Sequence, residues 1–308
     1  MFVFKAVLFC VLLCCLNAEN ICFENVKVRG YSKFSLRFEK VIISSNNLKD
    51  ELPNVEFDAI EMGNEDIPIL YENCISDIES LDNLIFEQNG IREIRSGALK
   101  NLPAIRKINL RQNKLKSIVT GVFNNLLVRE IDLRRNEIEV IEENAFNNMP
   151  KLERIILIDN KLTKWNKHWF LNTPLLYRLS FQHNLIEEIP AEAFTNLKGK
   201  KKFGNLSFDV NLIFSYNKIK TLHPDTFKDI KEINKLWLDN NLIEELPEKI
   251  FTDLSIENLR ICSNKLTCIK DKDSLLKAKT IEIDDNPFDC GCLNDIKNGL
   301  KTKINLFP

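Results

Sequence analysis

After its first eighteen residues this 308-residue chain has no apolar run near the roughly 20 residues that a membrane-crossing helix needs. No later segment is therefore expected to span a bilayer. Net charge is lacking too: 43 Lys and Arg face 44 Asp and Glu. No whole-molecule field draws the protein to nucleic acid or to an anionic membrane, so electrostatic recognition must be local. Catalytic signatures are missing as well. His168, His183 and His223 belong to no H-E-x-x-H, and there is no G-x-S-x-G and no phosphate-binding glycine loop. Asp271-Lys-Asp273 begins like a calcium loop but lacks the glycine and the terminal glutamate at their required offsets. The expectation is a protein without enzymatic activity, cofactor or metal.

What the chain has begins with Lys5, an apolar run over residues 7–16 and the small Ala18 ahead of a polar stretch. That order reads as a secretory signal peptide over residues 1–18. A secreted, extracellular protein with no transmembrane anchor is expected. Of nine cysteines, Cys10, Cys14 and Cys15 lie in that segment. The other six, Cys22, Cys74, Cys262, Cys268, Cys290 and Cys292, would enter an oxidising compartment, where disulfides persist.

Self-similarity dominates the rest. The segment Ile105-Arg-Lys-Ile108-Asn-Leu110-Arg-Gln-Asn113-Lys-Leu115 has apolar residues at places one, four, six and eleven and Asn at place nine. The ninth place recurs at Asn46, Glu65, Asn89, Asn113, Asn136, Asn160, Asn184, Asn217, Asn241, Asn264 and Asn286. Steps are 22–24 residues, apart from 19 at the front and 33 between Asn184 and Asn217. About eleven coils follow. A second series, Phe123, Phe146, Phe170, Phe194, Phe227 and Phe251, lies ten past the Asn.

Physics explains both series. The L-x-L core alternates with period two, so it makes a short strand with its apolar residues inward and its intervening residues outward. Parallel strands from successive coils form the concave face of a curved solenoid. The Asn lies where the chain turns inward, where its amide can satisfy buried backbone groups that would each cost roughly 1–3 kcal/mol if left unpaired. The Phe series is read as convex-side packing, as are Trp165 and Trp169 on either side of His168. Because each coil touches mainly its neighbours, both ends need caps.

The pattern resembles the leucine-rich repeat, L-x-x-L-x-L-x-x-N-x-L, over nearly the whole mature length. Its repeat length is similar to that of extracellular members, including secreted insect immune and adhesion proteins. The resemblance implies an α/β leucine-rich-repeat solenoid with disulfide-bearing end caps and a recognition role. No coiled-coil heptads follow the cap, unlike in the longer insect immune members. The expected divisions are residues 1–18 signal, 19–37 N-terminal cap, 38–288 repeats and 289–308 a short C-terminal cap. Asn286-Pro287-Phe288-Asp289-Cys290-Gly291-Cys292 resembles the opening of the cysteine-containing cap found after such repeats, here truncated.

Cysteine pairing follows partly from register. Cys22 with Cys74 is preferred by elimination. Cys268 and Cys290 each lie four past a ladder Asn. Neighbouring strands about 4.8 Å apart would permit a bond between them. Cys262 and Cys292 would then pair through cap curvature; otherwise Cys262 joins Cys290 and Cys268 joins Cys292. The nine extra residues before Asn217 are placed around residues 199–207 as a bulge ahead of a strand. This stretch contains Lys200, Lys201 and Lys202 and the sequon Asn205-Leu206-Ser207, where a glycan can be attached.

Candidate ligand contacts are the outward strand residues Arg111, Asp132, Arg134, Arg135, Arg154, Ile156, Ile158, Arg178, Tyr216 and Trp237. Glu130 between Lys107 and Arg154 has the look of an incidental surface pair. Arg111 beside Arg134 and Arg154 beside Arg178 do not, because like charges on adjacent strands oppose pairing. Apolar or aromatic anchors ringed by Arg fit a binding hot spot. The expected ligand is an extracellular protein or glycoconjugate; the alternative is a structural or adhesive matrix component.

Overall fold

A computed structural model describes residues 21–32, 35–52, 57–197, 201–203, 206–275 and 277–300. The signal segment, Lys200 and the proposed glycan site Asn205 lie outside the described residues.

Ten L-x-L cores form strands of one sheet: β3 (Ala59–Gly63), β4 (Asn83–Glu87), β5 (Lys107–Asn109), β6 (Glu130–Asp132), β7 (Arg154–Ile156), β8 (Arg178–Ser180), β9 (Val210–Ile213), β10 (Glu232–Trp237), β11 (Ser255–Arg260) and β12 (Thr280–Glu282). They pair in parallel, each with the equivalent residue of the next coil, as Ile108, Ile131 and Ile155 do. The result is a solenoid of about nine turns. The front differs from the expected eleventh coil. The segment before Asn46 runs antiparallel, as β2 (Ser35–Ser45), against β1 (Phe23–Ser32), and β1 runs antiparallel to β3. With no earlier coil to receive a parallel strand, the hairpin closes the core at this end, burying Phe23, Val26 and Ile43.

The asparagine ladder does what the spacing implies. Asn136 Nδ2 donates to the carbonyls of Leu110 and Leu133 at 3.0 Å each, and its Oδ1 accepts from the Leu115 N–H at 3.1 Å. The same triad of bonds recurs at Asn160, Asn184, Asn217, Asn241, Asn264 and Asn286. Each amide thus ties its own turn to the preceding coil.

The phenylalanine series forms the convex half of the core. Phe123, Phe146 and Phe170 stack with centroids 5.7 and 5.5 Å apart, and Phe194 stacks on Phe227 at 5.8 Å. Trp165 fills the break between Phe170 and Phe194, 6.0 and 5.2 Å from them. Its indole N–H donates to Ala193 O, and that of Trp169 donates to Ile141 O. Packing, as expected, is their role.

The cap disulfides are Cys22–Cys74 and Cys268–Cys292, with Cα atoms 5.8 and 5.4 Å apart. The favoured Cys268–Cys290 bond does not form, and Cys262 and Cys290 remain thiols. The cause is local: beyond Pro287 the chain leaves the coil path and enters the helix Cys290–Leu300. Asp289 Oδ1 caps the Cys292 N–H at 2.6 Å, Cys292 is turned inward and 5% exposed, and Cys290 is exposed. The 33-residue step carries an antiparallel hairpin, Lys201–Phe203 with Leu206–Phe208, just ahead of β9. Insertion before a strand is what the spacing implied.

Candidate binding surface on the concave face

The parallel register sorts the outward residues into rows that cross the strands. The third-place row runs Lys107, Glu130, Arg154, Arg178, Asn211, Lys235. The fifth-place row runs Asn109, Asp132, Ile156, Ser180, Ile213, Trp237, Arg260, Glu282. Seventh and eighth places continue beyond each strand at its C-terminal end.

Every eighth-place residue from Asn64 to Asp285 has left-handed backbone, with φ of 52–62°. This conformation turns the chain so that the following ladder residue goes inward. No glycine marks it, so the sequence offered no signal. It is uncommon for side chains as bulky as those of Tyr216 and Arg135.

Most of the expected charged contacts are absorbed by the scaffold. Glu130 lies between Lys107 Nζ at 2.9 Å and Arg154 Nε at 3.0 Å. Asp132, 1% exposed, is gripped by the Arg134 guanidinium through both carboxylate oxygens and also accepts the Arg134 N–H at 3.1 Å. The guanidinium's own hydrogen bonding to Asp132 is the first cause holding Arg134 above its ordinary pKa. Arg135 reaches Asp159 at 3.5 Å. The like-charge contacts that looked costly in sequence are thus offset: Arg134 and Arg154 each face a carboxylate on β6. Arg111 and Arg178 have no carboxylate partner among the described residues. Arg111 Nε is buried without a hydrogen bond, and Arg178 meets only Ser180 Oγ, at 3.3 Å.

The remaining candidates converge on β7 to β10. Ile156 and Ile158 are half-buried, and Ile213 lies in the same fifth-place row between Ser180 and Trp237. The half-buried Trp237 lies under the Arg260 guanidinium, 4.3 Å from its ring centroid, with Lys235 Nζ at 5.1 Å. Its indole N–H is buried with no partner. Tyr216 is 49% exposed and stacks on His183, with centroids 4.4 Å apart and planes 12° from parallel. Gln182, in the next row, has a buried Oε1 without a donor. Tyr216 is one of the expected contacts; His183 and Gln182 join it from the neighbouring coil. Only the phase of the seventh and eighth places, not residue type, marks Gln182 and His183.

Elsewhere, Asp271 is occupied by Ser274 and the Lys249 N–H and caps the short helix Lys272–Leu275. Among the described residues no helix is long and apolar enough to cross a membrane. Nor is there, among them, a group of three or more metal-ligating side chains.

The model of the BspA-type leucine-rich repeat region matches six copies, over residues 68–201 and 199–272, more than half of the chain. The chain belongs to this leucine-rich-repeat family. Among curated relatives, bovine mimecan is 30% identical over 135 residues, covering 39% of this chain and 43% of mimecan. Mouse CD180 antigen is 25% identical over 289 residues, covering 83% of this chain and 40% of that protein. P-granule-associated novel protein 1 of Caenorhabditis elegans is 27% identical over 154 residues, covering 49% of this chain and 25% of that one. This repeat protein thus spans less than half the length of each. A structure of the Drosophila Toll–Spätzle complex contains a similar fold, with a TM-score of 0.63 at 20% identity over 83% of this chain and 36% of that one.

Proposed function

We propose that this protein is a secreted, non-enzymatic recognition protein that binds an extracellular protein or glycoconjugate on its concave face. The contact surface is the patch Ile156, Ile158, Tyr216 and Trp237, with Arg178 and Arg260 at its edges. One observation carries this reading: the Tyr216 ring, half exposed on left-handed backbone and stacked on His183, does nothing for the core. Pre-positioned aromatics such as Tyr216, and Trp237 under Arg260, are among the side chains that dominate binding energy in protein interfaces. The leucine-rich-repeat membership supports a recognition role, although fold alone names no ligand.

The test is a screen of the purified full chain against extracellular protein domains and glycans, beside an Ile158→Asp, Trp237→Ala variant shown by circular dichroism to be folded. Binding that falls at least tenfold in the variant supports the site. Undiminished binding moves the site elsewhere. Arg134 is a poor probe despite its position, because replacing it strands the buried Asp132 carboxylate.

A further inference from the structure

The concave face is charged in two signs, separated along the solenoid. Across β5 to β8, outward places three, five, seven and eight carry six cations against three carboxylates, Glu130, Asp132 and Asp159. Each of these carboxylates is already engaged by Lys107, Arg134, Arg135 or Arg154. Lys107 and Arg154 share Glu130, and Arg111 and Arg178 have no carboxylate, so three positive charges are in excess. Across β10 to β12 the balance reverses, with Asp239, Glu282, Asp284 and Asp285 against Lys235 and Arg260. Arg260 is bound to Glu282 at 3.0 Å, which leaves Asp284 and Asp285 exposed and without a cation among the described residues. Between the two ends β9 contributes no charge, only Asn211, Ile213, Ser215 and Tyr216.

The negative end has a witness within the fold. Cys262 lies between the Asp239 and Asp284 strands, and its thiol is pushed up to about 11, by burial first and then by Asp239, Asp284 and Glu282.

Resting on the concave-face reading above, we infer that the ligand is a polypeptide with an acidic end, an apolar or aromatic centre and a basic end, lying across the strands. Its acidic end faces Arg111 and Arg178, its centre covers Ile158, Tyr216 and Trp237, and its basic end faces Asp284 and Asp285. Seven strand spacings of about 4.8 Å separate β5 from β12, roughly 34 Å, the reach of about ten extended residues. A glycan is the poorer fit. Acidic sugars carry one sign of charge, so a chain that satisfies Arg111 and Arg178 is repelled from Asp284 and Asp285, and a neutral one leaves both ends unmatched. Like-charge juxtaposition of this kind is how interfaces reject wrong partners.

The probe is a displayed library of random fifteen-residue peptides, selected on the immobilised full chain at physiological salt. Binders that lose at least tenfold in affinity with Ile158→Asp, Trp237→Ala should carry acidic residues toward one end and basic residues toward the other. An Asp284→Lys, Asp285→Asn variant, which keeps a residue suited to left-handed backbone at 285, should weaken the same peptides about tenfold. Changing the peptide's basic end to acidic should restore them. Patch-dependent peptides of one sign that are indifferent to the Asp284 variant would overturn the two-signed ligand and leave the concave site standing. So would patch-dependent capture of a sulfated oligosaccharide with no peptide selected. Peptides indifferent to Ile158 and Trp237 would overturn the concave site itself. Melting curves of each variant keep misfolding separate from lost contact.

Discussion

Replacing Asn160 with alanine is the sharpest test of how the repeats hold together. Its side chain makes three buried bonds: Nδ2 to Leu133 O at 3.0 Å and to Leu157 O at 3.1 Å, and Oδ1 from the Ile138 N–H at 3.0 Å. The two carbonyls are not orphaned by the change. Leu133 O also accepts from Asn136 Nδ2 at 3.0 Å, and Leu157 O from Asn184 Nδ2 at 2.8 Å. Only the Ile138 N–H loses its partner outright, at roughly 1–3 kcal/mol, with the shared carbonyl bonds adding about 1 kcal/mol between them. The expected loss is about 3 kcal/mol, rather than the larger figure that three independent orphans would give. Asn160→Asp separates donor from acceptor. It keeps an oxygen for Ile138 but turns a carboxylate toward two carbonyls in a site 7% exposed, so it should destabilise at least as much as alanine. Urea unfolding followed by the fluorescence of Trp165 and Trp169, which lie in the same coil, reports the local loss even where the repeat array does not unfold as one unit. Hydrogen exchange at the Ile138 amide should accelerate in both variants. An alanine variant within 1 kcal/mol of the parent, or an aspartate variant as stable as the parent, would refute the reasoning.

The remaining predictions concern the cysteines. Removing the Cys22–Cys74 bond, which spans 52 residues, should cost up to about 4 kcal/mol by the loop-entropy relation and first loosen the β1–β2 hairpin, as read by exchange at Val26 and Val28. Cys290 should react with a maleimide promptly at neutral pH, whereas labelling of Cys262 should rise only as pH climbs toward its raised value of about 11. The sign for stability follows from the same shift. The folded chain holds the Cys262 proton more tightly than the unfolded one, so this contribution is intact below about the ordinary value of 9.0 and is lost as pH rises through 11. Mass spectrometry of labelled peptides across this range checks both cysteines, and equal labelling at pH 8 would contradict the burial and charge assigned to Cys262.

The scaffold was legible in sequence because its constraints recur: buried apolar places four and six, the buried Asn at nine and the stacked Phe each appear many times in phase. The surface was legible only as geometry. Outward positions could be enumerated, but Asp132 and Glu130 capture Arg134 and Arg154 through rotamers and distances that spacing does not encode. So charges that looked free in sequence belong to the fold. The favoured Cys268–Cys290 pairing failed for a related reason, while Cys268–Cys292, the alternative, forms. Register placed Cys268 beside Cys290 on the premise that the coil continued past Asn286. The helix Cys290–Leu300 that starts after Pro287 exchanged Cys290 for Cys292, and no repeat existed to reveal it.

Register in this protein is set by the ladder rather than by the length of chain between rungs. The 33-residue step shows this best. Asn217 reaches Phe181 O at 2.9 Å and accepts from the Ile186 N–H at 3.1 Å across the insertion. Asn184 makes the equivalent bonds, across an ordinary step, at 2.8 and 3.0 Å. Extending a loop by a third adds only a few tenths of a kcal/mol of closure entropy, small beside the three bonds that each asparagine restores. The hairpin ahead of β9 therefore leaves the register of Asn211, Leu212 and Ile213 with the next strand intact, the one irregularity being a bulge between Val210 and Asn211. It also marks the strand that leads to Tyr216, the uncharged centre on which the two oppositely charged halves of the face meet.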